Sequence, residues 1–337
     1  VTDFILDWSI DLPILVAAVI PALLLLGFYY WRLHHNASFL KILSFWVISF
    51  FVLGIISGLL ALGLQWGFDN FALQIPGWRR LTRNLIAASG RQTFVTIPIE
   101  EGCKLIAFFT PIWYFQGRYH FRLRTIFLLG VSVCLGFSTQ ENVVYVFYDP
   151  ESLLDRIIGT PFHAFFSAPW IYILSKKILV NLNFTGSIKH FLFAWLNSII
   201  CHLVVNILAT AGEYDKNLQF FSYGLFPFLL WMFWRFEQFF CLVQNKPITP
   251  LISGVTPRHR YWQRGLILFA LILGGNAIFG MFVLIKAVSP LISRQIFDLQ
   301  ILWLIFSRTA VNLIFGIIAI AIYIYLRNVA KKYPKKY

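Results

Sequence analysis

The sequence predicts an all-α polytopic membrane bundle of about nine spans. Two features of composition point there. Of 337 residues, 59% are hydrophobic and only 12% are charged, where a soluble domain carries about 25%. Mean hydropathy is +0.73. The third observation is positional: apolar runs of about 20 residues, long enough to cross a bilayer as helices, recur along the chain. Thirty-six Phe, twelve Trp and fourteen Tyr suit lipid contact and interfacial belts.

Taken in order, the expected spans are 12–31, 42–66, 93–116, 125–147, 160–175, 190–210, 219–240, 266–286 and 300–326. The fifth is short, and the second and ninth are long enough to tilt. Gln74 to Ser89 sets Pro76, Trp78, Arg79, Arg80 and Arg83 among apolar residues, the pattern of an interfacial amphipathic helix. Leu242 to Gly265 is the longest polar connector. With no internal repeat and no soluble segment, residues 1–337 read as a single membrane domain. Four spans within 90–210 form its core, flanked by 1–89 and 211–337. The start, Val1-Thr2-Asp3, is acidic where a secretory leader would be basic, so the first span is expected to remain as an anchor.

The net charge of +14 reflects orientation in a bilayer rather than a nucleic-acid partner. Loops after spans one, three, five and seven, with the C-terminal tail, hold most of the Lys and Arg and none of the 14 Asp and Glu. Positive loops stay in the cytoplasm. The N-terminus is therefore expected outside and the tail Lys331 to Lys336 inside, with Arg79 to Arg91 as the exception. Cys103, Cys134, Cys201 and Cys241 show no CxxC spacing and read as small buried apolar groups.

Five ionisable groups interrupt the apolar runs: Glu100, Glu101, Glu141, His163 and His202, with Lys104 beside the first pair. Each costs about 2.5–3.5 kcal/mol on insertion scales unless it finds a partner or water. The alternating topology sets all of them roughly 5–12 Å below the outer surface, at 1.5 Å rise per residue. Four separate spans thus converge on one layer. Lys104 lies i,i+4 from Glu100 and i,i+3 from Glu101, within reach of either, and His202 shares a helix face with Asn206. Glu100 and Glu101 are about 100° apart on a helix, so one faces the site and the other supports it. Pro98 removes a backbone donor just before them.

This inventory suits hydrolysis. A buried carboxylate serves as general base, an imidazole donates to an oxyanion or leaving nitrogen, and Asn206 adds a neutral donor. Alternatively, Glu101, Glu141, His163 and His202 hold a divalent metal such as zinc. Composition leaves both open. HExxH and GxSxG are absent, and no Asp lies in a span for an aspartyl dyad. Lys104 reads as an orienting group and Phe137 as packing. Arg235 and Glu237 snorkel, and Arg308 reads as structural.

Four motifs, in order and each in its own span, carry a resemblance. They are Glu100-Glu101-Gly102-Cys103-Lys104, Gly136-Phe137-Ser138-Thr139-Gln140-Glu141-Asn142, His163, and His202-Leu203-Val204-Val205-Asn206. The set resembles the PrsW family of intramembrane proteases, a distant relative of the CAAX-prenyl endopeptidase and ABI superfamily. In the prenyl-endopeptidase branch the first motif usually ends in Arg and the second in His; Lys104 and Glu141 follow the PrsW pattern. The resemblance implies an enzyme of a bacterial plasma membrane that hydrolyses peptide bonds in membrane-anchored proteins near the extracytoplasmic face. Anti-sigma factors are the implied type of substrate. Two rivals remain: a proton- or ion-coupled transporter, which would show inverted repeats and a midplane site, and an inactive relative that only binds membrane proteins.

Overall fold

The computed structural model describes residues 12–34, 40–75, 78, 84–149, 153–179, 188–248, 250–254, 256–291 and 296–332. Every regular element among them is helical: α1 (Leu12–His34), α2 (Leu40–Ala72), α3 (Leu85–Arg91), α4 (Ile97–Tyr119), α5 (Leu123–Tyr148), α6 (Leu153–Gly159), α7 (Phe162–Leu179), α8 (Ile188–Tyr214), α9 (Ser222–Val243), α10 (Pro257–Val288) and α11 (Leu299–Lys332). A π-turn, Gln92–Thr96, joins α3 to α4, and a 3-10 turn, Lys216–Phe221, precedes α9.

All nine expected segments are helical. Eight are long and apolar enough to cross a membrane, among the described residues; the protein is a multi-pass membrane protein. The remaining segment is α4, which carries Glu100, Glu101, Lys104 and Arg118 in 23 residues. Its charged inventory is the one the site requires. The expected interfacial helix is found only in part. Asn84 caps α3, its side-chain oxygen accepting from the Ile86 N–H at 2.8 Å, while Pro76, Arg79, Arg80 and Arg83 lie outside the described residues. The expected fifth span is divided, with α6 ending at Gly159 and α7 beginning at Phe162 across Thr160 and Pro161.

By contacts the chain divides into two compact units, residues 1–203 and 204–337. In the first, α5 is the central helix. It packs against α1, α2 and α7, and nearly all of it from Thr125 to Asn142 is buried. In the second, α10 packs against α9 and α11. The outward faces of α11 are apolar, with Trp303, Ile317 and Ile320 exposed, as a lipid-facing helix requires. Arg308 is exposed on α11 and lines a shallow cavity with Gln300, Trp303, Leu304, Ser307 and Val311.

Two glycines let α2 and α5 touch backbone to backbone. A Cβ at Gly54 would stand 2.1 Å from the Val133 carbonyl oxygen, and one at Gly136 would stand 1.9 Å from that of Phe51. Small residues permit this approach where hydrocarbon offers no hydrophobic drive between helices. Gly136→Ala is therefore expected to force the helices apart, at a cost of about 1–3 kcal/mol. The thermal midpoint in detergent checks this against Gly117→Ala, where no atom lies within 4 Å of an added Cβ. Equal midpoints for the two variants would contradict the packing.

Candidate active site

Four helices deliver the site, and its ionisable side chains all lie in the first unit. Glu100, Glu101 and Lys104 occupy the first two turns of α4. Glu141 lies on α5, His163 opens α7, and His202 sits past the middle of α8. These side chains come together: His163 Nε2 is 2.7 Å from Glu141 Oε2 and its Nδ1 is 3.2 Å from Lys104 Nζ. The rings of His163 and His202 meet edge to face at 5.2 Å. His202 Nε2 is 3.6 Å from Glu100 Oε2, and His202 Nδ1 is 3.7 Å from Glu101 Oε1.

The two adjacent glutamates, equivalent in sequence, differ sharply in surroundings. Glu101 is fully buried. Its Oε1 pairs with the ammonium of Lys104. Its Oε2 accepts from Ser167 Oγ at 2.8 Å, Trp170 Nε1 at 2.9 Å and Ser198 Oγ at 2.8 Å. Four donors on one carboxylate leave little capacity for anything else. Glu100 has one partner, Gln65 Nε2 on α2, which donates to Oε1 at 3.0 Å. Its Oε2 is buried with no hydrogen-bond partner, as is Nδ1 of His202. An unsatisfied buried carboxylate oxygen is costly, and here it faces the imidazole Nε2 of His202 at 3.6 Å.

Lys104 is as buried as Glu101. It also lies over the face of Phe137, 4.8 Å from the ring centroid, so Phe137 does more than fill space. Its contact with His163 fixes a tautomer. An ammonium only donates, so Nδ1 accepts from Lys104, Nε2 carries the ring proton, and Nε2–H donates to Glu141. Phe166 stacks on His202 at 4.4 Å and 18°, holding that ring flat. On α5, Asn142 donates to Thr160 Oγ1 at 2.9 Å and to the Ala18 carbonyl at 3.3 Å, tying the motif helix to α1 and to the break before α7.

Sequence reasoning passed over Gln65, Ser167, Trp170, Ser198 and Phe166. None is charged, and each is unremarkable in an apolar helix. Only their positions on other helices reveal what they touch. Asn206 lies one turn along α8 from His202; it is half-buried, and its backbone carbonyl accepts from Thr210 Oγ1 at 2.9 Å.

A cation would find three ligand atoms here. Those of Glu100, His163 and His202 lie within 4.8 Å of one another, and all three residues are buried. One carboxylate and two imidazoles is a set that zinc accepts. The grouping differs from the expected one: Glu100 takes the place of Glu101, whose oxygens are already occupied, and Glu141 stays with His163. The spacing fits a small cation. The lone pairs fit in part, because Glu100 Oε2 and His202 are free to donate whereas that of His163 is engaged by Lys104.

Comparison with protein families now decides the class. The profile described as PrsW family intramembrane metalloprotease matches residues 44–232. The chain belongs to the PrsW family. The match extends beyond the four motif helices to include most of α2, the helix that supplies Gln65 to Glu100, and the first half of α9. It is a family of membrane hydrolases, and the eight apolar helices agree with it. No curated protein and no solved structure matches the chain.

Proposed function

We propose that the protein is an intramembrane endopeptidase that cleaves membrane-anchored proteins, with Glu100 as its general base. The single observation that carries this reading is the free, buried Oε2 of Glu100 facing His202 Nε2 across 3.6 Å. A water seated beside the pair meets an acceptor and an imidazole within one hydrogen bond of each. Glu100 takes a proton from that water as its oxygen attacks the scissile carbonyl carbon. His202 donates to the oxyanion that forms, assisted by Asn206 one turn along its helix. The proton passes to the leaving nitrogen, and the C–N bond breaks. Glu141 holds the His163 ring in place beside this water, and Glu101 with Lys104 fixes the start of α4.

A divalent cation such as zinc would be held by Glu100 and His202, with His163 joining once its contact with Lys104 opens. When bound, it supplies Lewis-acid polarisation and a more acidic water.

The charge asymmetry of the loops supports an extracytoplasmic site, with the N-terminus outside and the tail in the cytoplasm of a bacterial plasma membrane. A single-span substrate of the anti-sigma-factor type suits that side. A transporter is the less supported reading, since Glu100, Glu101, Glu141, His163 and His202 gather in one cluster rather than being strung along a pathway between faces.

The test is cleavage of a panel of single-span reporters in vesicles. The parent chain is expected to cut at a bond near the outer interface. His202→Gln should lower the rate by about 100-fold or more, the scale of losing one oxyanion donor. Metal content measured on the same vesicles, and activity after chelation and zinc return, separate the two modes of water activation. A parent chain that cuts none of the reporters while binding them would favour the inactive-relative reading.

A further inference from the structure

The reaction above consumes water at a buried carboxylate, and the helix that carries Glu100 holds further buried polar atoms leading towards it. Gln92 Oε1 and Thr96 Oγ1 are both buried without a hydrogen-bond partner, as is Glu100 Oε2. These residues are four apart in sequence, at i, i+4 and i+8. In an α-helix each step of four overshoots one turn by about 40°, so three such residues would drift apart. The turn over 92–96 is a π-turn, in which the Ile97 N–H bonds to the Gln92 carbonyl five residues back. Its extra residue per turn reverses the drift between Gln92 and Thr96, so that Gln92 comes back nearly in line with Glu100 and Thr96 stands a little to one side. Pro98, which cannot donate a hydrogen bond, follows directly and favours the widened turn over a regular one.

The same stretch is bridged to α2 at both ends. At the inner end Gln65 donates to Glu100. At the other, Arg91 Nε donates to Asp69 Oδ1 at 3.0 Å. Gln65 and Asp69 are themselves i,i+4 on α2 and share a face. The inner bridge is part-buried, joining a half-buried Gln65 to a buried Glu100. The outer one reaches solvent-accessible surface, with the Arg91 and Asp69 side chains 26% and 40% exposed.

We infer that the seam between α2 and the α3–π–α4 helix is the water path to the active site, with Gln92 and Thr96 as its intermediate hydrogen-bonding stations and the Asp69–Arg91 pair at its mouth. Each orphaned oxygen then has the partner that burial otherwise denies it. This deepens the hydrolytic reading and rests on it for its purpose, though not for its geometry.

The test uses the full chain in vesicles and has a readout independent of proteolysis. Thr96→Cys is exposed to aqueous silver ion, a thiol-seeking cation close to water in size, and surviving thiols are counted after unfolding. The increment over the parent chain corrects for the four native cysteines. Ile106→Cys, on the outward apolar face of α4, is the comparison. Silver is expected to block position 96 faster by about tenfold or more, because hydrocarbon excludes ions. Equal or slower blocking at 96 overturns the proposal. In parallel, Thr96→Val should slow reporter cleavage by about three- to tenfold, the scale of one hydrogen bond, without a change in KM, and Thr96→Ser should restore it. Cleavage unaffected by Thr96→Val also overturns it. Rapid blocking of position 96 in a chain that cleaves nothing would leave the path standing and remove the protease reading instead.

Discussion

Glu100→Gln is expected to abolish peptide hydrolysis, by a factor of roughly 10²–10⁴, while leaving the thermal midpoint close to that of the parent. The amide keeps the shape of the carboxylate, and its oxygen still accepts from Gln65. What it loses is the ability to take a proton at Oε2, the atom that has no partner in the folded protein. Glu101→Gln offers the contrast. There the carboxylate holds Lys104, Ser167, Trp170 and Ser198, so activity and stability should fall together. Both are read from one preparation, as reporter cleavage and thermal unfolding. A Glu100→Gln variant that cleaves at the parental rate would remove Glu100 from the chemistry.

The second large effect concerns Lys104. Lys104→Met leaves Glu101 as a buried anion with only neutral donors. Removing one partner of a buried ion pair costs about 3–5 kcal/mol, enough to shift the thermal midpoint by many degrees. Combining it with Glu101→Gln removes both charges and keeps an oxygen for Ser167, Trp170 and Ser198. The double variant should therefore be more stable than Lys104→Met alone, although inactive if His163 loses its place. Simple addition of the two single losses would show that the charges are not coupled.

The spans were legible because membrane helices obey a blunt rule of length and apolarity, and all nine expected segments are helical. Boundaries were less so. The start of the fifth span was placed at 160, whereas Pro161 cannot donate within a helix and α7 begins at Phe162. The helix carrying the glutamate pair was expected from 93, but capping by Asn84 and the π-turn make it continuous from Leu85. Neither feature has a strong local signature. The site was legible for an energetic reason: Glu100, Glu101, Glu141, His163 and His202 are too costly in hydrocarbon to be incidental. The division of labour within the glutamate pair was not. It depends on Ser167, Trp170 and Ser198 reaching one carboxylate and Gln65 the other, and those residues come from three helices remote in sequence. Uncharged polar residues are cheap enough in a helix to escape notice until their neighbours are known.

The enclosure of α5 bears on how the protein is made. This helix buries Ser132, Ser138, Thr139, Gln140 and Asn142 along with its apolar residues, and it is among the less apolar of the candidate spans. On its own, with Glu141 exposed to lipid, it would be a poor candidate for insertion. The helix that meets it backbone to backbone, α2, is synthesised earlier and presents Gly54 as a ready surface. The partner of Glu141, His163, arrives only with α7. The nascent chain thus waits, with its central helix half-clothed, until the residues that complete the catalytic cluster emerge. Within the first unit, closing the helices around α5 and completing the site go together.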